Sequence, residues 1–397
     1  MFCEFGFRDG AMKVAYFTPS SFRTVNAGAL RNVGLARALV LAGHEITIIC
    51  SDHVRDEMSN EWDAILDGSK ISVVQGGSPR GEGSHVFARL VRLLNGPSSD
   101  LRSRLSSISP DSLILYNAAP IPLLRLDHFA RRHKLPFSLD ITEWLNLADL
   151  PGGRFGPLAI LHELTMRTLA WRRGRYLAIS NTMAGKLGKR GLPPLVVPPI
   201  FDISPSDLVR RRDRRTHLVA TGTDLRDHGK DVGGLSLIVA ALAEVDPEGN
   251  RFHLDVVGAH SGQTEAYLCA RLKAGAFTLH GRLSWEKTLS AVHSADFSVV
   301  LRNPADRRSN LGFPSKVPES LLLGTPILGN LFSDLSEHLE DGINAVVVSE
   351  PTKQALVSAL LRLPVEIDRE AVRKQALVRY TPRAWSATVS EFVMGEL

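Results

Sequence analysis

The sequence contains little cysteine and few aromatic residues, and each shortage argues against a class of protein. Its three cysteines, Cys3, Cys50 and Cys269, form no CxxC pair and no His/Cys spacing typical of a zinc site. Aromatic residues make up 7% of the chain, whereas nucleic-acid binders usually interleave them with basic residues on one face. The sequence therefore favours a reducing compartment and argues against a zinc module or a nucleic-acid partner.

Long hydrophobic runs are also absent. No apolar stretch reaches the roughly 18–20 residues that span a bilayer, and the N-terminus shows no basic-then-apolar export signal. The first eleven residues are aperiodic, which indicates an extension or a misassigned start before regular patterning begins at Met12. We therefore predict a cytoplasmic protein, with peripheral contact at the inner face of the membrane left open.

Several phosphate and catalytic motifs are missing as well. The chain has no GxGxxG dinucleotide fingerprint, no GxxxxGK[ST] loop and no GxSxG elbow, so the NAD, P-loop and serine hydrolase classes are poorly supported. It also has no D-x-D, the carboxylate pair that often holds a metal–nucleotide complex. We predict no metal and no cofactor, with lysine and arginine neutralising any bound phosphate.

The composition that is present is that of a large globular protein. A chain of 397 residues exceeds what one hydrophobic core usually serves, so two domains are expected. The net charge of +5 comes mainly from arginine, because only 11 of the 47 basic residues are lysine. This balance favours anionic partners such as nucleotide phosphates or a membrane surface.

Short apolar runs alternate with helical patterns along the whole chain, which predicts an α/β fold of two tandem Rossmann-like doubly wound domains. In the first half the predicted strands are Val14–Thr18, Ile46–Cys50, Ile71–Val74, Leu113–Tyr116, Phe137–Asp140, Tyr176–Ile179 and Leu195–Val197. In the second half they are Leu218–Thr221, Phe252–Val257, Phe277–His280, Phe297–Leu301, Pro326–Leu328 and Ala345–Val348.

Prolines between Pro198 and Pro205 interrupt the regular pattern and predict the joint between the domains. We predict an acceptor-side domain over 12–200, a nucleotide-binding domain over 201–380, and a C-terminal helix over 381–397 that returns to the first domain. The basic stretch Arg210–Arg215 is either a solvated interdomain loop or a contact for an anionic membrane or phosphate-bearing acceptor.

The segment from Asn310 to Pro326 is the most informative in the chain. It predicts a loop containing Gly312 and Phe313, then a short helix that carries Lys316 and Glu319, then a buried strand. A loop that leads into a helix N-terminus suits a phosphate, Lys316 adds a full charge, and the Glu319 carboxylate can accept hydrogen bonds from a ribose diol. The alternative is an ordinary corner with a surface Lys–Glu pair at i, i+3.

Each half also has a polar turn after its first strand. In the first half Gly28 could let backbone N–H groups approach a substrate, or it could simply begin a helix. In the second half Gly222 is followed by Arg226 and Lys230, two cations well placed for a diphosphate leaving group. Alternatively, three neighbouring aspartates, at positions 224, 227 and 231, pair with these cations on the surface.

Two carboxylates follow another predicted strand of the first half. Asp140 and Glu143 are three residues apart, where a carboxylate could orient or deprotonate an acceptor hydroxyl. A helix N-cap is the alternative role for Asp140.

From Met12 onward the chain resembles GT-B glycosyltransferases, and within that fold glycosyltransferase family 4. The matching motifs are Arg37-Ala38-Leu39, Gly43–Ile48, Gly229-Lys230-Asp231, Val257-Gly258, His280-Gly281-Arg282, Ser294-Ala295-Asp296, Gly312-Phe313, Glu319 with Gly324–Ile327, and Asp341–Asn344. The resemblance implies transfer of a sugar from a nucleotide sugar, usually with retention and without a metal.

The resemblance also implies roles for single residues. Glu319 matches the second glutamate of the family's E-x7-E pattern, which holds the donor ribose, and Lys230 matches the lysine that meets the diphosphate. Gly28 lies in the loop beside donor and acceptor. Two positions depart from the pattern: Leu311 stands in place of the first glutamate, and Thr223 in place of an arginine.

We therefore expect a glycosyltransferase that acts on a nucleotide-diphosphate sugar and a glycan, lipid-linked or small-molecule acceptor, in polysaccharide or glycoconjugate biosynthesis. The predicted catalytic residues are Lys230, Arg226, Asp140 and Glu143, and the predicted donor-binding residues are Gly28, Gly222, Lys230, Arg226, Gly312, Phe313, Lys316 and Glu319. Two alternatives are an inert glycosyltransferase-like binding subunit and a nucleotide-sugar epimerase.

Overall fold

A computed structural model of the chain describes two compact units. The first comprises Met1–Phe201, Leu311–Phe313 and Thr381–Leu397, and the second comprises Asp202–Asn310 and Pro314–Tyr380. The described residues are 10–50, 60–66, 68–75, 101–150, 152–169, 175–188, 192–204, 213–222, 224–226, 230–363 and 365–395.

The first unit is built on a parallel sheet of seven strands in the order β3-β2-β1-β4-β5-β6-β7. The strands are β1 (Lys13–Thr18), β2 (Glu45–Cys50), β3 (Ile71–Gln75), β4 (Ser112–Tyr116), β5 (Phe137–Ile141), β6 (Arg175–Ala178) and β7 (Leu195–Val196). Its helices are α1 (Ala27–Leu41), α2 (Asn60–Leu66), α3 (Leu101–Ile108), α4 (Pro120–His133), α5 (Pro157–Leu164) and α6 (Asn181–Leu187).

The second unit repeats this plan with a parallel six-stranded sheet in the order β12-β11-β8-β13-β14-β15 and an antiparallel hairpin. The strands are β8 (Thr216–Thr221), β9 (Asp224–Arg226), β10 (Lys230–Val232), β11 (Phe252–Val257), β12 (Phe277–Gly281), β13 (Phe297–Val300), β14 (Ile327–Asn330) and β15 (Ala345–Val348). Its helices are α7 (Leu235–Val245), α8 (Gly262–Cys269), α9 (Trp285–Ser294), α10 (Arg307–Leu311, which ends in the first unit), α11 (Lys316–Leu322), α12 (Lys353–Leu361) and α13 (Arg369–Tyr380).

Several helices of the first unit begin where a side chain accepts a hydrogen bond from a free backbone amide, or where a proline has no amide to satisfy. Asn26 accepts a hydrogen bond from the Ala29 amide at the start of α1, and Ser180 accepts one from Met183 at the start of α6. Pro120 occupies the first turn of α4, where its missing N–H costs nothing.

The predicted doubly wound architecture is confirmed, and all thirteen predicted strands are present within a residue or two of their predicted ends. The sequence analysis missed the hairpin β9–β10, which pairs Arg226 opposite Lys230. These strands are three residues long and largely polar, so they give no apolar run to detect.

The C-terminal helix α14 (Pro382–Met394) belongs to the first unit, as expected, and packs against α1. The imidazole of His44 lies 2.7 Å from the Ser390 hydroxyl, and the Ser112 hydroxyl donates to the Val393 carbonyl at 2.8 Å. Among the described helices, none has the length and apolar character needed to cross a bilayer.

Candidate functional site

At the carboxyl edge of the second sheet, the segments that follow the neighbouring strands β8 and β11 lie side by side. Gly222 follows β8, Gly258 follows β11, and the Gly222 amide donates to the Val257 carbonyl at 2.7 Å. Gly258 has a φ of +135°, and a Cβ there would lie 3.2 Å from the Gly222 Cα. Only glycine allows so close an approach of two backbones in this conformation. Two glycine backbones therefore lie side by side at this edge, and Gly222 is exposed there.

Lys316, the first residue of α11, reaches to this edge. Its ammonium donates to the carbonyl of Thr221 at the end of β8. A Cβ on Gly222 would lie 3.8 Å from the Lys316 Nζ. The structure thus places two of the predicted donor-binding residues, Gly222 and Lys316, side by side.

Glu319 lies one turn along α11 and is half-buried, like Lys316. Within the described part of the chain its carboxylate accepts no hydrogen bond, and no ion pair joins it to Lys316. The interpretation of these two residues as an ordinary surface pair therefore does not fit.

Burial changes the proton affinity of both groups. Burial together with the nearby Arg302 charge lowers the pKa of Lys316 to about 7, against the opposing effect of Glu319. Burial raises the pKa of Glu319 to about 7, against the opposing effect of Lys316. Groups that change charge near neutrality at the carboxyl edge of a parallel sheet are typical of a functional site.

Arg302 is a third ionisable group at this edge, and the sequence analysis missed it. It follows β13, its amide donates to the Asn330 side chain at 3.0 Å, and burial lowers its pKa while Asp306 and Asp231 oppose the change. The available signal was its position directly after a predicted buried strand, where ligands of open α/β sheets bind.

The two predicted cations Arg226 and Lys230 lie on facing strands of the hairpin β9–β10. The hairpin begins two residues after Gly222, so its backbone departs from the same sheet edge. Their side chains fall outside the described residues, as does Thr223, and their phosphate roles stay predictions.

Gly312 and Phe313 group with the first unit, and Phe313 is buried. The preceding Leu311 is also buried in that unit's hydrophobic core, and its carbonyl accepts a hydrogen bond from the Ser180 hydroxyl at 2.6 Å. Leu311 is therefore a packing residue, which gives a structural reason for an apolar side chain at this position.

In the first unit, Gly28 lies in the first turn of α1. A Cβ there would lie 2.7 Å from the Ser20 hydroxyl oxygen and 3.5 Å from the Tyr116 hydroxyl. Gly28 thus lies at a helix start, where a Cβ would displace the Ser20 hydroxyl, and its approach to a substrate stays a prediction.

Asp140 is fully buried inside β5 rather than at a helix start. One carboxylate oxygen accepts from the Tyr16 hydroxyl at 2.5 Å, and the other accepts from Arg31 at 2.9 Å. Burial and the Asp140 charge hold the pKa of Tyr16 well above its usual value, so this hydroxyl stays a donor. The prediction of Asp140 as an acceptor base does not fit this geometry, because both its oxygens are engaged and hidden from solvent.

Glu143 is exposed three residues further on. Its amide donates to the Asn117 side chain at 3.3 Å, and its carboxylate accepts no hydrogen bond from the residues that the structure describes. Of the two predicted carboxylates, Glu143 is the one that an acceptor can reach.

One group of described residues could hold a metal ion. His217, His253 and Asp255 are buried on neighbouring strands, with their possible ligand atoms within 4.8 Å of one another. His253 already lies 3.0 Å from both the Gly275 carbonyl and the Thr278 hydroxyl, and Asp255 lies 2.6 Å from His280. This group belongs to the strand interiors of the second unit, and the expected absence of a metal stays a prediction.

Comparisons with known proteins agree with this architecture. Residues 216–364 match the family model for glycosyl transferases group 1. No curated protein sequence matches the chain.

Among solved structures, a glycosyltransferase from Rickettsia africae ESF-5 aligns with a TM-score of 0.67 at 12% identity, covering 96% of this chain and 98% of the other. HepE from Anabaena in complex with UDP-glucose aligns with a TM-score of 0.65 at 15% identity, covering 96% of this chain and 98% of HepE. Sucrose-phosphate synthase from Thermosynechococcus elongatus aligns with a TM-score of 0.63 at 12% identity, covering 95% of this chain and 96% of the synthase.

The resemblance to GT-B glycosyltransferases is confirmed by the matched family model and by the shared fold. The predicted enzyme class, a glycosyltransferase, agrees with the family model that residues 216–364 match.

Proposed function

We propose that this glycosyltransferase moves a sugar from a nucleotide-diphosphate sugar to an acceptor hydroxyl, with retention and without a metal, in polysaccharide or glycoconjugate synthesis. The observation that carries the proposal is the position of Lys316 at the edge formed by Gly222 and Gly258, with Glu319 one helical turn further along α11. The site offers a cation for a diphosphate and, one helical turn away, a carboxylate with no hydrogen bond from the described residues for a ribose diol.

In this proposal the second unit assists departure of the nucleoside diphosphate. Lys316 and Arg302 stabilise the negative charge that develops on the leaving phosphate, and Arg226 and Lys230 add to it from the hairpin. Glu319 accepts hydrogen bonds from the ribose, which fixes the donor. The leaving phosphate takes the acceptor proton in a front-face transfer, and Glu143 orients the acceptor hydroxyl.

The donor half of the proposal is tested by titration calorimetry with UDP, GDP, ADP and dTDP. We expect one nucleotide to bind saturably and Glu319→Gln to weaken it at least tenfold, because charge-assisted hydrogen bonds contribute about 1.5–3 kcal/mol each. Glu286→Gln, an exposed first-turn glutamate of α9, is the matched control and keeps wild-type affinity. Unchanged affinity in Glu319→Gln would remove Glu319 from the site.

The acceptor half is tested with Glu143→Gln. We expect the transfer rate to fall at least tenfold while nucleotide affinity stays at the wild-type value, because Glu143 acts on the acceptor only. Glu45→Gln, an exposed glutamate of the same unit, is the control. An equal loss of transfer rate in Glu143→Gln and Glu45→Gln would show that the substitutions disturb the fold and that Glu143 has no role in the chemistry.

One observation favours a second candidate, a binding subunit without turnover. Leu311 is buried in an apolar core, so its side chain offers no polar contact to a sugar ring. Release of nucleoside diphosphate from the bound nucleotide sugar separates the two candidates. Saturable binding with no release, with or without acceptor alcohols, would make the binding subunit the better description.

A further inference from the structure

The first unit contains a cavity of about 180 Å³ at the carboxyl edge of its sheet. Its walls come from the segments that follow three strands: Pro19 after β1, Ala119 after β4 and Leu145 after β5. Leu161 of α5 and Met166 just beyond this helix close the other side. Ligands of open α/β sheets bind at this edge, so the cavity has the position of a substrate site.

The cavity is held in shape by polar contacts behind its apolar walls. The Leu145 amide donates to Nε2 of His162 at 3.1 Å, and the Trp144 indole donates to Glu163 at 3.1 Å. These two bonds fix α5 against the segment after β5. The Lys186 ammonium lies 5.1 Å from the centre of the Trp144 ring and stacks on it. The cavity is therefore a built feature and not a gap between loose loops.

The cavity has few polar groups, and some of them already make hydrogen bonds within the protein. The side-chain oxygen of Asn117 is occupied, because it accepts from the Thr142 and Glu143 amides at 3.0 and 3.3 Å. His162 already accepts the Leu145 amide at Nε2. The exposed carboxylate of Glu143 lines the same cavity. A hydroxyl group beside Glu143 would thus lie next to an otherwise apolar space.

Size and polarity together define what fits this space. An apolar cavity of about 150 Å³ accommodates one benzene molecule, so 180 Å³ accommodates a single ring. An unsubstituted sugar ring would turn several hydroxyls against apolar walls, and each hydroxyl without a hydrogen bond would be costly to bury.

We propose that the acceptor is an alcohol that carries a ring-sized apolar group, which this cavity binds while Glu143 orients the hydroxyl. This inference rests on the proposed function and deepens it by naming the acceptor class.

Binding is measured by calorimetry without donor, using phenyl and methyl β-glucosides, which share every hydroxyl and differ in the apolar group. We expect the phenyl compound to bind at least tenfold more tightly, because the ring leaves water. Equal affinities would overturn the proposal. Hexyl β-glucoside is a third arm, and tenfold tighter binding of the hexyl than of the phenyl compound would overturn the assignment of a ring-sized group.

Leu161→Trp fills the cavity, and Ile160→Trp is its matched control because Ile160 is 60% exposed on the same helix. We expect Leu161→Trp to abolish the preference for the phenyl compound and Ile160→Trp to keep it. If Leu161→Trp does not fold, Ala119→Phe fills the cavity from the opposite wall. If a folded variant with a filled cavity still prefers the phenyl compound, the proposal is contradicted.

Nucleotide affinity is measured in the same variants. It reports on the second unit alone, so it stays at the wild-type value whether or not the cavity binds the acceptor. Loss of the phenyl preference with intact nucleotide binding would support the acceptor assignment. Absent nucleotide binding in the wild type would instead overturn the proposed function.

Discussion

The guanidinium of Arg31 lies 2.9 Å from the carboxylate of Asp140, and both side chains are buried. Arg31 also donates to the carbonyls of Val197 and Pro198 at 2.7 and 2.6 Å. Burial alone would lower the pKa of Arg31, but the Asp140 charge outweighs it and the pKa is raised. One buried ion pair thus connects α1, β5 and the segment that follows β7.

Replacing Arg31 with methionine should destabilise the first unit strongly. The change leaves Asp140 as a buried carboxylate without its cation, which typically costs about 3–5 kcal/mol. Urea unfolding measures the effect, with Arg132→Met on the exposed end of α4 as a control that stays near the wild type. Similar curves for the two variants would contradict the structural role of the pair.

Replacing two helical glycines with alanine should change the stability of the protein in opposite directions. A Cβ on Gly34 of α1 would lie 2.2 Å from the Ile200 carbonyl oxygen, whereas a Cβ on Gly185 of α6 meets nothing within 4 Å. We expect Gly34→Ala to cost about 1–3 kcal/mol through forced backbone movement. Gly185→Ala should gain about 0.5–1 kcal/mol through helix propensity. Thermal unfolding of both variants checks the signs, and a neutral Gly34→Ala would refute the close packing of α1.

Nucleotide binding should be coupled to proton uptake at pH 8. With a pKa of about 7, Lys316 is mostly neutral at this pH, and a bound diphosphate favours the ammonium and raises its pKa. The nucleotide itself is fully ionised there, so the uptake, up to one proton, comes from the protein. Calorimetry in buffers of different ionisation enthalpy measures it directly.

The control for this experiment is a pair of lysine variants. Lys316→Met should bind more weakly and take up no proton, while Lys287→Met, at an exposed position of α9, should behave like the wild type. Proton uptake that persists in Lys316→Met would assign the titrating group elsewhere.

The sequence predicted the two sheets well for a physical reason. Strands of parallel sheets are buried on both faces, so they appear as nearly continuous apolar runs such as Ile46–Cys50 and Ala345–Val348. The hairpin β9–β10 could not be found this way, because Asp224–Arg226 has a single apolar residue and so forms no apolar run.

The site was predictable where its residues are neighbours in sequence. Lys316 and Glu319 were found from their spacing on one short helix, whereas Arg302 acquires its importance from a strand order that the sequence does not display. Asp140 illustrates the same limit, since its partners Tyr16 and Arg31 lie 124 and 109 residues away. A carboxylate after a strand looks the same in sequence whether it faces solvent or a buried guanidinium.

The position of α14 in the first unit also sets an order of events on the ribosome. The residues of the second unit emerge before α14 does, so that unit can complete its core while the first still lacks a helix. Until α14 arrives, the surface of α1 that it covers is exposed to chaperones and to neighbouring nascent chains. Although the first unit begins first, it is the last to be finished.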